Sequence, residues 1–300
     1  MHNFTIKEVE AFWNSHPCGL SETSGINNKK FVFEQTEKER YAKQARILSY
    51  ADFPSHRGKR VLEVGCGIGT DAIQFTRYRA LYTGVDLTQA AVDITKERLK
   101  LFRQSGEILK INAEKLPFPD NYFDHVYSFG VIHHSSNPEK IVEEIYRVLK
   151  PDGSITVMLY NRTSFYYLIE VCIIRKISFK ICHKKELLRK AFTLFNSKLQ
   201  ERFELYRAKL AQMKRLNPAP TSHEWVSMNT DDIFCPIARV YSKAEAKRLF
   251  RRFTDFKTEV WFIDRDNWFI WLVLGFFLPR LIVNWLEFNF GWFRMILAKK

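Results

Sequence analysis

The sequence contains little cysteine, and its few thiols are far apart. Five cysteines occur in 300 residues, and no two of them form a CxxC pair or show the spacing of metal ligands. The odd number and wide spacing argue against a disulfide framework and a cysteine-based zinc site, and they suit a reducing compartment. We therefore expect no bound metal and a cytoplasmic protein. The cysteines are Cys18, Cys66, Cys172, Cys182 and Cys235.

Long hydrophobic runs are also missing. The apolar run at 268–279 extends for 12 residues before Arg280 interrupts it. A helix that spans a bilayer needs about 18 to 20 apolar residues, so this run is too short. Residues 1–10 lack the apolar centre of a signal peptide. The sequence therefore predicts neither a transmembrane helix nor a secretion signal.

Acidic residues are scarce in one part of the chain only. The formal net charge is +14, yet residues 1–161 carry 21 Lys and Arg against 20 Asp and Glu. Residues 162–215 carry 14 against 4 and so hold most of the excess. A localised positive field attracts phosphates, anionic lipids or acidic substrates. The alternative is that these cations solvate exposed helix faces, and composition does not separate the two interpretations.

Glycine is uncommon, with 12 residues in all, but three of them fall within the loop 63–69. This loop follows the apolar run 61–64 and precedes a helical pattern, and a strand, a glycine-rich loop and a helix together form a nucleotide site. Thr70 stands where a dinucleotide GxGxxG motif has its last glycine. Glu63 adds a carboxylate, which suits a cofactor with an ammonium group. Asp86 ends the next strand, where a carboxylate accepts hydrogen bonds from ribose hydroxyls.

The pattern of apolar residues alternates between strands and helices, which predicts parallel βαβ units. A polar segment with a helix over 34–50 precedes the first strand. Strands are expected at 61–64, 81–86, 108–111, 124–129, 154–160, 257–263 and 293–297, and helices at 70–79, 88–102, 139–149 and 242–253.

Four segments resemble class I S-adenosylmethionine-dependent methyltransferases, most of all the ubiquinone/menaquinone-biosynthesis-like branch that acts on small molecules. They read VLEVGCGIGT at 61–70, GVDLT at 84–88, NAEKLPF at 112–118 and LKPDG at 149–153. The resemblance covers roughly 59–161. It implies a Rossmann-like sheet of six parallel strands and an antiparallel last strand, with helices on both faces and a helical insert. It also implies S-adenosyl-L-methionine as the cofactor.

The resemblance also implies which residues hold that cofactor. Glu63 would lie at the methionine end, Asp86 at the ribose and Leu87 beside the adenine. Asn112 stands where the family usually has Asp, so it would accept from the adenine amino group without a charge. The first helix would approach the cofactor carboxylate through Arg40 and Tyr41, although Arg40 could equally be a surface residue. The expected cofactor-binding residues are Arg40, Tyr41, Glu63, Gly65, Cys66, Gly67, Gly69, Asp86, Leu87, Asn112, Ala113, Glu114 and Phe129.

Three side chains are candidates for the chemistry of methyl transfer. His133 and His134 follow the fourth strand, and an imidazole can accept a proton near neutral pH. The alternative is that they cap or pack the loop. Tyr160 ends the fifth strand and could be a hydroxyl donor or a packing residue. We expect the catalytic residues to come from His133, His134 and Tyr160.

The sequence predicts four regions along the chain. Residues 1–58 form an N-terminal helical cap, 59–161 the cofactor-binding core, 162–235 a basic helical insert, and 236–300 the rest of the core with an aromatic insert at 264–290. The segments 165–181 and 268–290 are rich in aromatic and basic residues. Either they form an apolar lid, or they contact the inner membrane face as a peripheral surface. A single-stranded nucleic acid is disfavoured, because no known nucleic-acid module is present.

The predicted function is methyl transfer to a small, hydrophobic or lipid-like acceptor. Three alternatives stay open at this stage. A nucleotide-binding oxidoreductase would share Asp86 but not the spacing at Thr70. An RNA methyltransferase would share the fold, and a non-catalytic S-adenosylmethionine-binding protein would keep the glycine loop without the reaction.

Overall fold

A computed structural model describes residues 5–17, 28–177, 222–231, 234–264 and 279–300. Its centre is a sheet with the strand order β3-β2-β1-β4-β5-β8-β7, and a short strand β6 pairs with the end of β5. The chain runs outward from β1 to β3 on one side and from β4 to β5 on the other, and the last strand, β8, lies between β5 and β7. The strands are Arg60–Val64 (β1), Leu81–Asp86 (β2), Glu107–Lys110 (β3), Phe123–Phe129 (β4), Leu149–Asn161 (β5), Val240–Tyr241 (β6), Thr254–Trp261 (β7) and Phe293–Lys299 (β8).

Strands β1 to β5 pair in parallel, and β8 runs against them. The direction of β8 follows from its ends: the Lys300 N–H donates to the Gly153 carbonyl near the start of β5, and the Asn161 N–H at the end of β5 donates to the Trp292 carbonyl. The predicted class, a mostly parallel α/β sheet with one antiparallel strand, is confirmed. The two-residue strand β6 was not predicted, because two residues are too few to show the apolar pattern of a strand.

The helices of the described residues include three that precede the sheet. The sequence predicted one helix at 34–50, but the structure has a break at Gln44 and Ala45 and a further helix near the N-terminus. That first helix has a capping box, in which Thr5 and Glu8 bond to each other's backbone N–H. The helices are Ile6–Ser15 (α1), Lys29–Lys43 (α2), Arg46–Ala51 (α3), Thr70–Arg77 (α4), Gln89–Leu101 (α5), Pro138–Val148 (α6), Ser222–Thr230 (α7), Lys243–Leu249 (α8) and Arg280–Phe290 (α9).

Two compact units divide the chain. The first comprises Met1–Leu159, Lys243–Glu259 and Phe293–Lys300, and it contains most of the sheet. The second comprises Tyr160–Ser242 and Val260–Trp292. In the second unit a π-helical segment, Tyr166–Ile174, packs on α7 around the buried side chains of Val171, Trp225 and Met228. The Trp225 indole N–H donates to the Val171 carbonyl at 3.0 Å.

Parts of the two predicted inserts lie outside the described residues. The insert 162–235 is described as far as residue 177 and again from residue 222, and the aromatic run 268–278 is not described. None of the helices within the described ranges is long and apolar enough to cross a membrane.

A pair of stacked histidines lies in the core of the first unit, at the opposite end of β4 from the glycine loop. The rings of His56 and His125 are 4.1 Å apart between centroids, and both side chains are buried. His56 bonds to the Ala51 carbonyl and His125 to the Ser154 hydroxyl. Burial lowers the pKa of both imidazoles, and the nearby Lys59 ammonium lowers each of them further. Both imidazoles therefore bind a proton less readily in the folded protein than in the unfolded chain.

These buried histidines predict a loss of stability in mild acid. In the unfolded chain they protonate below about pH 6.5, while in the folded protein they bind a proton less readily. The unfolded state then binds more protons, so the free energy of unfolding falls as the pH falls below that value. The expected slope is about 1.4 kcal/mol per pH unit for each such histidine. Denaturant unfolding between pH 5 and pH 7.5, roughly the range of histidine titration, measures it.

A matched pair of variants tests the assignment. His125→Gln removes one titrating group and should reduce the slope by about one proton equivalent. Ser105→Ala alters an exposed residue that carries no titrating group and should leave the slope unchanged. An unaltered slope in His125→Gln would show that the acid sensitivity arises elsewhere.

Candidate active site

The loop between β1 and α4 has the conformation of a ligand cradle. Gly65, Gly67 and Gly69 all have positive φ values, of 80°, 53° and 74°. A Cβ at Gly65 would lie 2.2 Å from a Val131 methyl group, so no other residue fits there without a shift. A Cβ at Gly67 would meet nothing within 4 Å, because this glycine faces open space. The backbone at Gly67 is thus accessible to a ligand.

Asp86 holds this loop from the end of β2. One carboxylate oxygen accepts the Gly67 N–H at 3.0 Å, and the other accepts the N–H and the hydroxyl of Thr88 at 3.0 and 2.9 Å. Burial raises the pKa of Asp86, while these hydrogen bonds oppose that shift. The side chain therefore holds Thr88, the N-cap residue of α5, and also lines the cavity in front of the loop.

Glu63 lies at the base of the cavity. Its side chain is buried and accepts the Tyr82 hydroxyl at 2.5 Å. Burial raises the pKa of Glu63 well above its ordinary value, and the Asp71 carboxylate raises it further. A cation placed in the cavity would reverse this shift, because it would favour the ionised form.

Asp71, in the first turn of α4, organises the neighbouring wall. Its carboxylate accepts a hydrogen bond from Arg40 at 2.6 Å, from the Tyr41 hydroxyl at 2.7 Å and from the Tyr127 hydroxyl at 3.0 Å. The Arg40 guanidinium also lies 5.1 Å from the centre of the Phe129 ring. Arg40, Asp71 and Phe129 line the cavity, whereas Tyr41 supports them from behind. Sequence reasoning missed Asp71, although an acidic residue directly after Thr70 at a helix start was a signal.

The opposite end of the cavity is lined by Leu87, Asn112 and Ala113. Glu114 is not among the lining residues, although the resemblance placed it beside the adenine. Its carboxylate accepts the hydroxyls of Ser135 and Ser136, both at 2.9 Å, and a backbone N–H at 3.2 Å. Glu114 thus ties the loop after β3 to the loop after β4.

The three candidates for chemistry lie in different environments. His134 lines the cavity, and its ring meets the edge of Trp13 at a centroid distance of 4.9 Å. His133 is fully buried beneath it and does not line the cavity; burial lowers its pKa well below the ordinary value, so the ring is neutral. Tyr160 belongs to the second unit, where its hydroxyl donates to Asp231 at 2.5 Å and its ring stacks on Trp292.

The cavity also has walls that the sequence did not predict. Helix α1 contributes Ile6, Val9 and Trp13. The helix is attached by an ion pair between Glu10 and Lys110 at 2.6 Å and by the Ala90 N–H, which donates to Asn14 at 3.1 Å. The predicted Cys66 lines the cavity as well. Further lining residues that were not predicted are Ile68, Val85, Ala91, Ile111, Val131, Ser135 and Ile141.

The charges of the cavity favour a cationic ligand. Three carboxylates of the described residues line it, those of Glu63, Asp71 and Asp86, against one guanidinium, that of Arg40. The Arg40 charge is already paired with Asp71. A sulfonium cofactor with an α-ammonium group complements the two remaining carboxylates, whereas a pyrophosphate would add charge of the same sign.

Arg98 supports the glycine loop from the side away from the cavity. This fully buried side chain of α5 donates to the Ile68 carbonyl at 3.2 Å, to the Thr70 hydroxyl at 2.8 Å and to the Phe33 carbonyl of α2 at 3.0 Å. Burial lowers its pKa to about 10, so it stays charged at neutral pH. One side chain thus joins the loop, the start of α4 and the N-terminal helices.

We expect Arg98→Met to destabilise the protein and to weaken ligand binding at the loop. The variant leaves three buried oxygen atoms without their donor, which costs about 2 to 4 kcal/mol of unfolding free energy. Lys96→Met is the matched control, because Lys96 is an exposed cation of the same helix. Equal stability of the two variants in denaturant unfolding would contradict this role.

The comparisons agree with this geometry. Residues 62–157 match a family of methyltransferase domains. The phthiotriol/phenolphthiotriol dimycocerosates methyltransferase of Mycobacterium tuberculosis is 33% identical over 166 residues, which is 50% of this chain and 59% of that protein. The ubiquinone/menaquinone biosynthesis C-methyltransferase of Edwardsiella ictaluri is 33% identical over 115 residues, 36% of this chain and 45% of that protein. The chain therefore spans less than two thirds of these relatives.

Solved structures share the fold. Magnesium protoporphyrin IX methyltransferase from Synechocystis, with bound SAH, matches at a TM-score of 0.53 and 11% identity, over 98% of this chain and 99% of that one. A SAM-dependent methyltransferase from Archaeoglobus fulgidus matches at a TM-score of 0.52 and 16% identity, over 91% of this chain and 100% of that one. The family match, together with the sheet order and the glycine loop, supports a class I methyltransferase domain over residues 62–157, the class whose methyl donor is S-adenosylmethionine. This chain contains such a domain, and the predicted resemblance is confirmed.

Proposed function

We propose that this protein transfers a methyl group from S-adenosylmethionine to a small, hydrophobic, lipid-like acceptor. The observation that carries the proposal is the acid-lined cavity in front of Gly67, closed on one side by the apolar face of α1. The acidic wall of that cavity fits the cofactor, and its apolar wall fits the acceptor.

The residues of the cavity fit each part of the cofactor. The Glu63 carboxylate would accept from the α-ammonium group, and Asp86 keeps lone pairs that can accept from ribose hydroxyls. Leu87 and Ala113 offer apolar contacts to the adenine ring, and the Asn112 carbonyl oxygen can accept from its amino group. Arg40, held by Asp71, would lie near the cofactor carboxylate.

When bound, S-adenosylmethionine supplies an electrophilic methyl group on a sulfonium. The task of the protein is to align the acceptor with that methyl group and to exclude water. Trp13 and His134 are in contact at the cavity wall, so they can do both. The His134 imidazole can accept the proton that an oxygen or nitrogen acceptor loses. His133, neutral and buried, positions the loop that carries it.

The acceptor is inferred from the apolar side of the cavity. Ile6, Val9 and Trp13 lie on one face of α1 and bound the cavity, and such a wall favours a hydrophobic acceptor over a charged one. The names of the relatives support this inference. They are a phthiotriol/phenolphthiotriol dimycocerosates methyltransferase, a C-methyltransferase of ubiquinone/menaquinone biosynthesis and, in rice, a cycloartenol-C-24-methyltransferase that is 35% identical over 112 residues. An acceptor of this kind resides in a bilayer, so the proposal includes contact with a membrane surface.

Cofactor binding should be pH-dependent through Glu63. In the free protein the pKa of Glu63 is raised, and a bound ammonium favours the ionised carboxylate. Binding should therefore release a proton, and the affinity for S-adenosylmethionine should weaken as the pH falls from about 7.5 towards 5.5, above the usual carboxylate range. Calorimetry in buffers of different ionisation enthalpy measures the released proton.

Glu63→Gln keeps the acceptor oxygen for Tyr82 but removes the charge. We expect a loss of affinity of about tenfold to a hundredfold, as for a charged hydrogen bond, and no proton release. Glu139→Gln, an exposed glutamate at the start of α6, should bind as the parent protein does. Unchanged affinity in Glu63→Gln would place the ammonium elsewhere.

The methyl-transfer step is tested with S-adenosylmethionine labelled in its methyl group. The full chain is incubated with a total lipid extract, and the label should move into the organic phase. His134→Gln should lower kcat about a hundredfold while the affinity for the cofactor stays the same. Label that reaches only water-soluble products would refute the lipid-like acceptor, and an unchanged kcat would refute the role of His134.

A further inference from the structure

Helix α9 has two faces that both carry large apolar side chains. The helix runs over Arg280–Phe290, and Pro279 precedes it. Val283, Leu286 and Phe290 are half-buried and share one side, because helix positions three and four apart are neighbours. Leu286 packs against Ile263. This inner face attaches α9 to its own unit.

The outer face of α9 is apolar as well as exposed. Leu281 is 82% exposed, Trp285 57%, and Ile282 and Phe288 43% each. A surface helix of a globular protein normally has polar residues on its outer side. Four large apolar side chains in 11 residues depart from that pattern, and an exposed apolar patch indicates an interaction site.

The chemistry of the chain around this face favours a lipid surface. Trp285 is a residue type that prefers the boundary between water and hydrocarbon. In the same unit, Leu168, Ile173 and Ile177 are exposed along the π-helical segment and its continuation, next to Lys176. The insert that contains them is basic in sequence, with 14 Lys and Arg against 4 Asp and Glu over 162–215, although residues 178–215 lie outside the described residues. Apolar side chains combined with positive charge match an anionic bilayer.

We propose that α9 is a docking helix that lies in the surface of a bilayer containing anionic lipids, with Leu281, Ile282, Trp285 and Phe288 inserted. An 11-residue helix is about 16 Å long and lies along the surface, because spanning the hydrocarbon core takes about 30 Å. The inference rests on the proposed function only in that a lipid-like acceptor would reside in such a bilayer.

Vesicle co-sedimentation of the full chain tests the proposal without cofactor or acceptor. We expect the protein to bind vesicles of phosphatidylcholine mixed with phosphatidylglycerol more strongly than vesicles of phosphatidylcholine, with a difference that shrinks at high salt. Leu281→Glu should weaken partitioning by about tenfold or more, since it replaces an inserted leucine by a charge. Leu81→Glu is the matched control, as Leu81 is 58% exposed at the start of β2 in the first unit.

The outcomes separate this proposal from the proposed function. Calorimetry with S-adenosylmethionine should give the same affinity for the parent protein and both variants, which also shows that the variants fold. Absence of vesicle binding by the parent protein, or equal binding by Leu281→Glu and Leu81→Glu, would overturn the docking role and leave the methyltransferase assignment intact. Self-association that Leu281→Glu abolishes, without vesicle binding, would overturn it in favour of a second copy.

Discussion

The hydrogen bond from the Gly67 N–H to the Asp86 carboxylate is the contact on which the site depends. It joins the ends of two neighbouring parallel strands, β1 and β2, which the sheet brings to the same edge. Because Asp86 also caps α5 through Thr88, the loop, the strand and the next helix share one carboxylate. Ligands bind at this edge in open α/β sheets, and here the edge carries both the backbone cradle and the acidic groups.

Buried charge connects that edge to the N-terminal helices. Arg98 reaches from α5 to the loop and to α2, and Arg40 reaches from α2 to Asp71. Arg40 and Arg98 keep these partners only when α2 lies against α4 and α5. A buried charge without a partner is costly, so this packing is strongly favoured. The N-terminal helices are therefore part of the site, and they fix the wall that faces the cofactor.

Much of the fold was predictable from local pattern. The apolar runs before Gly65 and at 81–86 predicted β1 and β2, since buried parallel strands are continuously apolar. The positions of Glu63, Gly65, Asp86 and Asn112 at the cavity followed from strand ends and motif order. The first helix escaped prediction although it carries two local signals, the capping box of Thr5 and Glu8 and an apolar face at helical spacing. Asp71 escaped because its partners, Tyr41 and Tyr127, are distant in sequence.

The sequence by itself determined that a nucleotide site follows the first strand, and the resemblance of four motifs to class I methyltransferases implied the class of domain and the type of cofactor, since glycine spacing, strand ends and motif order are local properties. Only the tertiary structure decided which polar groups face the cavity. Glu114 accepts hydrogen bonds from the loop after β4, and His133 is buried, whereas its neighbour His134 lines the cavity. The physical reason is that the direction of a side chain depends on what packs against it, and those partners are separated along the chain by tens of residues.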